Sequence, residues 1–169
     1  MIFTKRSDYG LRAAMELAAG YGCGPLSARQ IAQRGNLPEP FVRKLLQELA
    51  RAGLANSERG RHGGYVLAHA PGHVTVRETL EAFETLAPVP CLDPANVPEV
   101  EREQSFAGNG GTSGEDACTL DIAEFSCPAR AAWHLVDRRV RATLEAMTLD
   151  DLLREVQHRG LAAEMIHAS

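Results

Sequence analysis

Apolar residues recur at helical spacing along the first fifty positions. Over residues 5–19, Leu11, Met15 and Ala18 fall three to four apart, with Ala13, Ala14, Leu17 and Ala19 filling in. That period predicts a helix. Tyr21-Gly22-Cys23-Gly24-Pro25 breaks it. Ser27 suits the N-cap of a short helix through Arg34, with Ile31 and Ala32 turned inward. Gly35-Asn36 supply a tight turn. Pro38 and Pro40 fit the start of a third helix, because first-turn N–H groups have no intrahelical partner. That helix is expected to reach about Ala52. Its inner stripe is Phe41, Leu45, Leu46 and Leu49, and Gly53 is its stop. A groove-facing Phe41 is the alternative to its place in the stripe.

The period then changes. Leu54-Ala55 and Tyr65-Val66-Leu67 read as two short strands around Glu58-Arg59-Gly60-Arg61-His62-Gly63-Gly64, a basic, glycine-rich turn. This is a β-hairpin signal. After Pro71-Gly72, Thr75 is positioned to cap a helix over 76–85 with Val76, Leu80 and Phe83 inward. Residues 86–126 carry no clear period and hold Pro88, Pro90, Pro94, Pro98 and the run 108–114, rich in glycine. Stretches of that kind are usually functional or disordered. A long helix is expected from Pro128, where Trp133, Val136, Val140, Leu144 and Met147 recur at steps of 3, 4, 4 and 3. Thr148 and Asp151 form the N-cap and N3 pair of a last helix, 149–158, ended by Gly160. There is no internal repeat.

The pattern predicts a mainly α protein with one small β-hairpin. Three regions are expected: 1–85, 86–127 and 128–169. At 169 residues the chain can bury a core without covalent staples. The net charge of −4 hides an asymmetry. Residues 1–70 hold 10 Lys and Arg against 5 Asp and Glu, whereas residues 71–127 hold 2 against 11. Attraction to DNA follows local potential, so the basic first part keeps nucleic acid open as a partner. No apolar run reaches the roughly 18 residues of a membrane span. The beginning of the chain, MIFTKRSDYG, lacks the features of a signal peptide. A cytoplasmic location without membrane contact is therefore expected. In that reducing compartment, the four cysteines point to metal binding or redox chemistry rather than structural disulfides, with Cys91, Cys118 and Cys127 as the group and Cys23, which lies apart, read as structural or incidental. No phosphate loop, His-Glu metal helix motif or serine nucleophile elbow is present, so no enzyme is expected.

Helix, short helix, turn, helix and basic hairpin is the order of a winged helix-turn-helix. The second helix of the pair can enter a major groove with its N-terminal residues on base edges. Here those residues are Glu39, Pro40, Phe41, Arg43 and Lys44. Arg and Lys can donate to guanine, and Glu can accept from cytosine. Arg59, Arg61 and His62 on the glycine turn suit a phosphate or a minor groove. Ser27, at the start of the first helix of the pair, completes the expected DNA-contacting set. The Trp133, Val136, Val140, Leu144 and Met147 stripe suits a partner helix. Reading two half-sites calls for a symmetric homodimer.

Asp8-Tyr9-Gly10-Leu11-Arg12, Ile31-Ala32 and the wing Arg59-Gly60-Arg61-His62-Gly63-Gly64-Tyr65 are the residues that carry a family resemblance. With the late cysteines and the helix after them, residues 1–158 resemble the IscR/NsrR-type winged-helix transcription regulators, the Rrf2 family. The resemblance implies a long helix that pairs two subunits. It also implies an iron–sulfur cluster that controls binding to a double-stranded DNA operator. Thiolates hold such clusters, and a fourth ligand can be another group. By the resemblance, Cys91 and Cys127 stand at the first and last ligand positions and Cys118 between them. Asp8 stands where some members use an acidic ligand from the partner subunit. Its other reading is a first-turn charge that favours the helix dipole. His134 is a further candidate, and Arg130, where some relatives carry histidine, cannot ligate. The interval of 26 residues between Cys91 and Cys118 is wider than in the better-known members. The implied function is a repressor sensing redox state, nitric oxide or cluster supply. Zinc on the same thiolates, a reversible disulfide and a cluster-bearing interaction or electron-transfer module remain open alternatives.

Overall fold

Thr4 starts the first helix, α1 (Lys5–Ala19), by accepting the Ser7 N–H on its hydroxyl at 3.3 Å. The computed structural model describes residues 4–60, 63–89, 92 and 128–158. Three later helices begin with the same device made reciprocal. Ser27 and Gln30 form a capping box on α2 (Ala28–Arg34), and Thr75 and Glu78 form one on α4 (Val76–Glu81). Thr148 and Asp151 do so on α6 (Leu149–His158), where the Thr148 N–H and hydroxyl both donate to the Asp151 carboxylate, at 3.0 and 2.7 Å. Each pair satisfies N–H groups that a helix start leaves without partners. Between α2 and α4 come α3 (Glu39–Arg51), β1 (Ala55–Glu58) and β2 (Gly64–Leu67), and the long α5 (Pro128–Glu145) precedes α6. Pro38, which has no side chain able to accept an N–H, stands at the N-cap of α3.

β1 and β2 pair antiparallel, with Ala55 opposite Leu67 and Glu58 opposite Gly64. Leu26 adds a third short edge to this hairpin. Its N–H donates to the Tyr65 carbonyl at 3.0 Å, and the Tyr65 N–H donates back at 2.8 Å. The wing is thus tied to the residue that precedes the Ser27 cap.

The chain divides into two compact units, Ile2–Glu84 with Thr143–Ser169, and Thr85–Ala142. The core of the first is built from Ala13, Ala14 and Leu17 of α1, Ile31 of α2, and Val42, Leu45, Leu46 and Leu49 of α3. Leu67, Val74, Phe83 and Leu149 complete it, so the last helix belongs to the same core as the first. A pair of backbone bonds fastens it there: Val76 N–H to the Met147 carbonyl at 2.8 Å, and Leu149 N–H to the Val74 carbonyl at 2.9 Å. Arg77 adds a side-chain tie, donating to Glu81 and to Glu145, each at 3.1 Å. In the second unit, Arg141 bonds Asp137 at 2.8 Å and the Leu86 carbonyl at 3.0 Å.

Four expectations need correction. Phe41 is not on the inner stripe of α3: it is 38% exposed, and Val42 is the buried residue. The ring of Phe41 instead stands edge-on to Tyr9 of α1, with centroids 5.8 Å apart. The helix expected over 76–85 ends at Glu81, although Val76, Leu80 and Phe83 are buried as expected. On α1 Ala18 is buried, in line with its period, together with Gly10, Ala13, Ala14 and Leu17, while Leu11 and Met15 are only half-buried. Met147 lies beyond the end of α5, so the seam written through it stops one step earlier.

Gly10 has a packing reason. A Cβ there would overlap the ring of Phe83, which is itself buried. We expect Gly10→Ala to lower the melting temperature, although alanine favours a helix interior by about 1 kcal/mol. Overpacking of this kind typically costs about 1–3 kcal/mol. Thermal denaturation should also show a smaller loss in a Phe83→Leu background. A gain in stability from Gly10→Ala alone would contradict this account.

Glu16 is buried on α1 at 5% exposure. Burial pushes its carboxyl above the usual range, and the positive charge of Arg34 partly offsets the rise. Folding therefore favours the neutral form. The associated stability is present at low pH and lost as pH rises through the raised folded value. Glu16→Gln should stabilise the protein at pH 7, and its advantage should shrink as the pH falls toward about 4.5 and below. Denaturant midpoints across that range test it; a pH-independent difference would contradict it.

Candidate nucleic-acid interface

Helices α2 and α3 and the base of the wing enclose one shallow concavity. Ser27, Ala28 and Arg29 line one side, Glu39, Arg43 and Gln47 the second, and Gly63, Gly64 and Tyr65 the third. Its volume is about 350 Å³. The closeness of its walls depends on Gly64, where a Cβ would run into the Leu26 backbone. Only a residue without a side chain lets the wing strand approach the start of α2 this closely. At the wing turn, Gly60 has φ 127°, a backbone region open to glycine.

The expected DNA-contacting residues fall in distinct places. Arg43 and Glu39 face one another on α3 at 2.6 Å, with the Arg43 side chain 67% exposed. Pro40 and Lys44 are exposed on the outward side of the same helix. Ser27 has its hydroxyl engaged in the α2 cap, where it accepts the Gln30 N–H at 3.3 Å. Arg59 is exposed just past β1, while Arg61 and His62 lie outside the described residues. Arg29 and Gln47 are two residues that sequence reasoning missed. Gln47 was within reach of it, one helical turn beyond Arg43 on the row Glu39, Arg43, Gln47.

Cys91, Cys118 and Cys127, the expected metal ligands, lie outside the described residues. Cys23 is exposed in the turn after α1. Among the described residues no group of three or more His, Cys, Asp or Glu could hold a metal ion. Asp8 sits in the first turn of α1, half-exposed, and pairs with Arg12 at 3.1 Å. Arg12 also lies over the Tyr9 ring, 5.9 Å from its centroid. Of the residues expected at a subunit interface, Trp133 and Val136 are 41% and 42% exposed. Leu135, not foreseen, is 43% exposed beside them, Val140 is half-buried and Leu144 is buried. Among the described residues no helix is long and apolar enough to cross a membrane.

Comparison with known proteins converges on one family. The family model described as Rrf2, iron-dependent transcriptional regulator, matches residues 3–155. Protein slr0846 of Synechocystis sp. is 34% identical over 152 residues, covering 90% of this chain and 87% of its own. The structure of CymR, the global cysteine regulator of B. subtilis, superposes with a TM-score of 0.64 at 29% identity, covering 90% of this chain and 95% of that one. T. potens IscR superposes equally well, with a TM-score of 0.64 at 25% identity, covering 92% and 88%. The winged helix is therefore the fold, the family is non-enzymatic, and the chain belongs to the Rrf2 family of transcriptional regulators.

Proposed function

We propose that this protein is a cytoplasmic, homodimeric repressor that binds a double-stranded DNA operator. Its affinity is set by an iron–sulfur cluster on Cys91, Cys118 and Cys127, with Asp8 of the partner subunit as fourth ligand. The observation that carries the DNA reading is the three-sided concavity, which brings Arg43 of α3 and Arg29 of α2 together with the base of the wing. Arg43 and Lys44 of α3 would enter the major groove, and Arg59, Arg61 and His62 would meet phosphates or the minor groove. Trp133, Val136 and Val140 of α5, with Leu135, would supply the apolar seam to a second copy. Leu144 and Met147 would support the end of that seam from within one subunit.

For the cluster, the support is the donor chemistry of three thiolates and the family description as iron-dependent. Bound there, the cluster would supply a centre reactive toward oxidants and nitric oxide. Cys127 directly precedes α5, so fixing its thiolate fixes the start of the helix that carries the seam. At the other end of that helix, Glu145 meets Arg77 of α4. A ligand can shift operator affinity only by binding one of two arrangements better than the other. The half-exposed Asp8 carboxylate has Arg12 as its exchangeable partner.

A second reading has its own observation: the fold match to CymR, the global cysteine regulator of B. subtilis, equals that to IscR. In it the thiolates hold zinc or form a reversible disulfide, and DNA binding is unchanged. Anaerobically purified protein, with iron and sulfide analysis, separates the two. Visible absorption in the wild type and its loss in Cys118→Ala is the expected result. A colourless protein after reconstitution with iron and sulfide would overturn the cluster and leave the second reading.

DNA binding is tested apart from the cluster. Operator affinity should fall steeply with salt, because each neutralised phosphate adds about −0.9 to the logarithmic slope. Arg59→Gln should weaken all sequences by a similar factor and reduce that slope by about 1 per subunit. An unchanged slope would remove Arg59 from the phosphate contacts.

A further inference from the structure

We infer that Glu39 is a positioning residue that holds Arg43 for a guanine, and that Gln47 reads a neighbouring adenine. This rests on the DNA-binding reading above. It changes the role of Glu39, whose residue type by itself suggests a direct contact to cytosine.

Three observations carry it. First, the Glu39 carboxylate accepts from Arg43 Nη2 at 2.6 Å, within one turn of α3. A carboxylate four residues N-terminal to its cation is the favourable order on a helix. This carboxylate is therefore already engaged, and by the side chain best suited to guanine. Second, Glu39, Arg43 and Gln47 line the same wall of the concavity. An acidic group on a DNA-facing wall repels phosphates unless its charge is matched, and Arg43 matches it. Third, the described residues place no partner on Gln47, which is exposed on that wall.

The chemistry follows from the inventory of donors. One carboxylate contact leaves most of the guanidinium N–H groups of Arg43 for guanine O6 and N7. Held in one rotamer beforehand, the long side chain loses less freedom on binding. Gln47 has one amide donor and one acceptor side, which match adenine N6 and N7. Four residues advance an α-helix by about 6 Å, close to two base-pair steps of about 3.4 Å. The two bases should therefore lie within about two base pairs of each other in each half-site.

The test is selection from a randomised half-site with the full-length protein, followed by binding constants for single-base variants. The proteins are wild type, Arg43→Lys, Glu39→Gln and Gln47→Ala. All three positions are at the surface of α3, and circular dichroism checks that each variant folds. Arg43→Lys keeps the charge and should relax one guanine position by roughly tenfold or more. Glu39→Gln should relax the same guanine position and no cytosine. Gln47→Ala should relax an adenine within about two base pairs and leave the salt slope unchanged.

Glu39→Gln relaxing a separate cytosine position would make Glu39 a reader and overturn the positioning role. A uniform gain in affinity for all sequences, with no position relaxed, would reduce Glu39 to a repulsive charge and overturn it too. Gln47→Ala weakening every sequence equally would overturn the adenine assignment. Wild type without salt-sensitive DNA binding would instead defeat the DNA reading on which this inference rests.

Discussion

The structure turns on two reciprocal backbone hydrogen bonds between Leu26 and Tyr65. They join the wing to the residue just before α2, and so set the distance between the hairpin and helices α2 and α3. Both bonds depend on the absence of a side chain at Gly64. Were the wing to lift away here, Gly63, Gly64 and Tyr65 would leave the concavity they line with α2 and α3. Arg43 would remain on its helix, but the concavity around it would open. A small sheet contact thus holds the wing side of this concavity against α2.

The same economy appears where α6 returns to the first helices. Segments 74–76 and 147–149 exchange two backbone bonds, and each contains the N-cap threonine of the helix that follows it. One short pairing therefore fixes two helix starts together. Leu149 then enters the core beside Val74 and Phe83, and Arg77 holds Glu145 at the end of α5. A change that reached the end of α5 would meet α4 through this junction, without an intervening flexible loop.

Much of this was written in local sequence. Ser27, Thr75 and Thr148, each with an acceptor three residues later, marked three helix starts correctly. The hairpin around residues 58–64 was visible from glycine content and from the switch of period. The basic character of α3 and the wing was visible in residues 43, 44 and 59. The end of the helix begun at Val76 was not legible, because Phe83 and Ala82 continue a helical period while the backbone has already turned. Phe41 was misread because a four-residue apolar step fits either edge of the stripe. Val42 is the residue that faces the core, and Tyr9, far away in sequence, is what receives Phe41.

Local order was thus fixed by the sequence itself, since caps, periods and glycine turns act over three or four residues and need no distant partner. It also fixed the kinds of chemistry available: cations on α3 and the wing, and thiols at 91, 118 and 127. Tertiary structure decided which of these share a surface. It placed Arg29 of α2, Gln47 of α3 and Tyr65 of the wing around one concavity, set Phe41 against Tyr9, and brought α6 back to the core of α1. The reason is that a side chain's neighbours across a core are set by how whole elements pack. No period or cap along the chain encodes that distance.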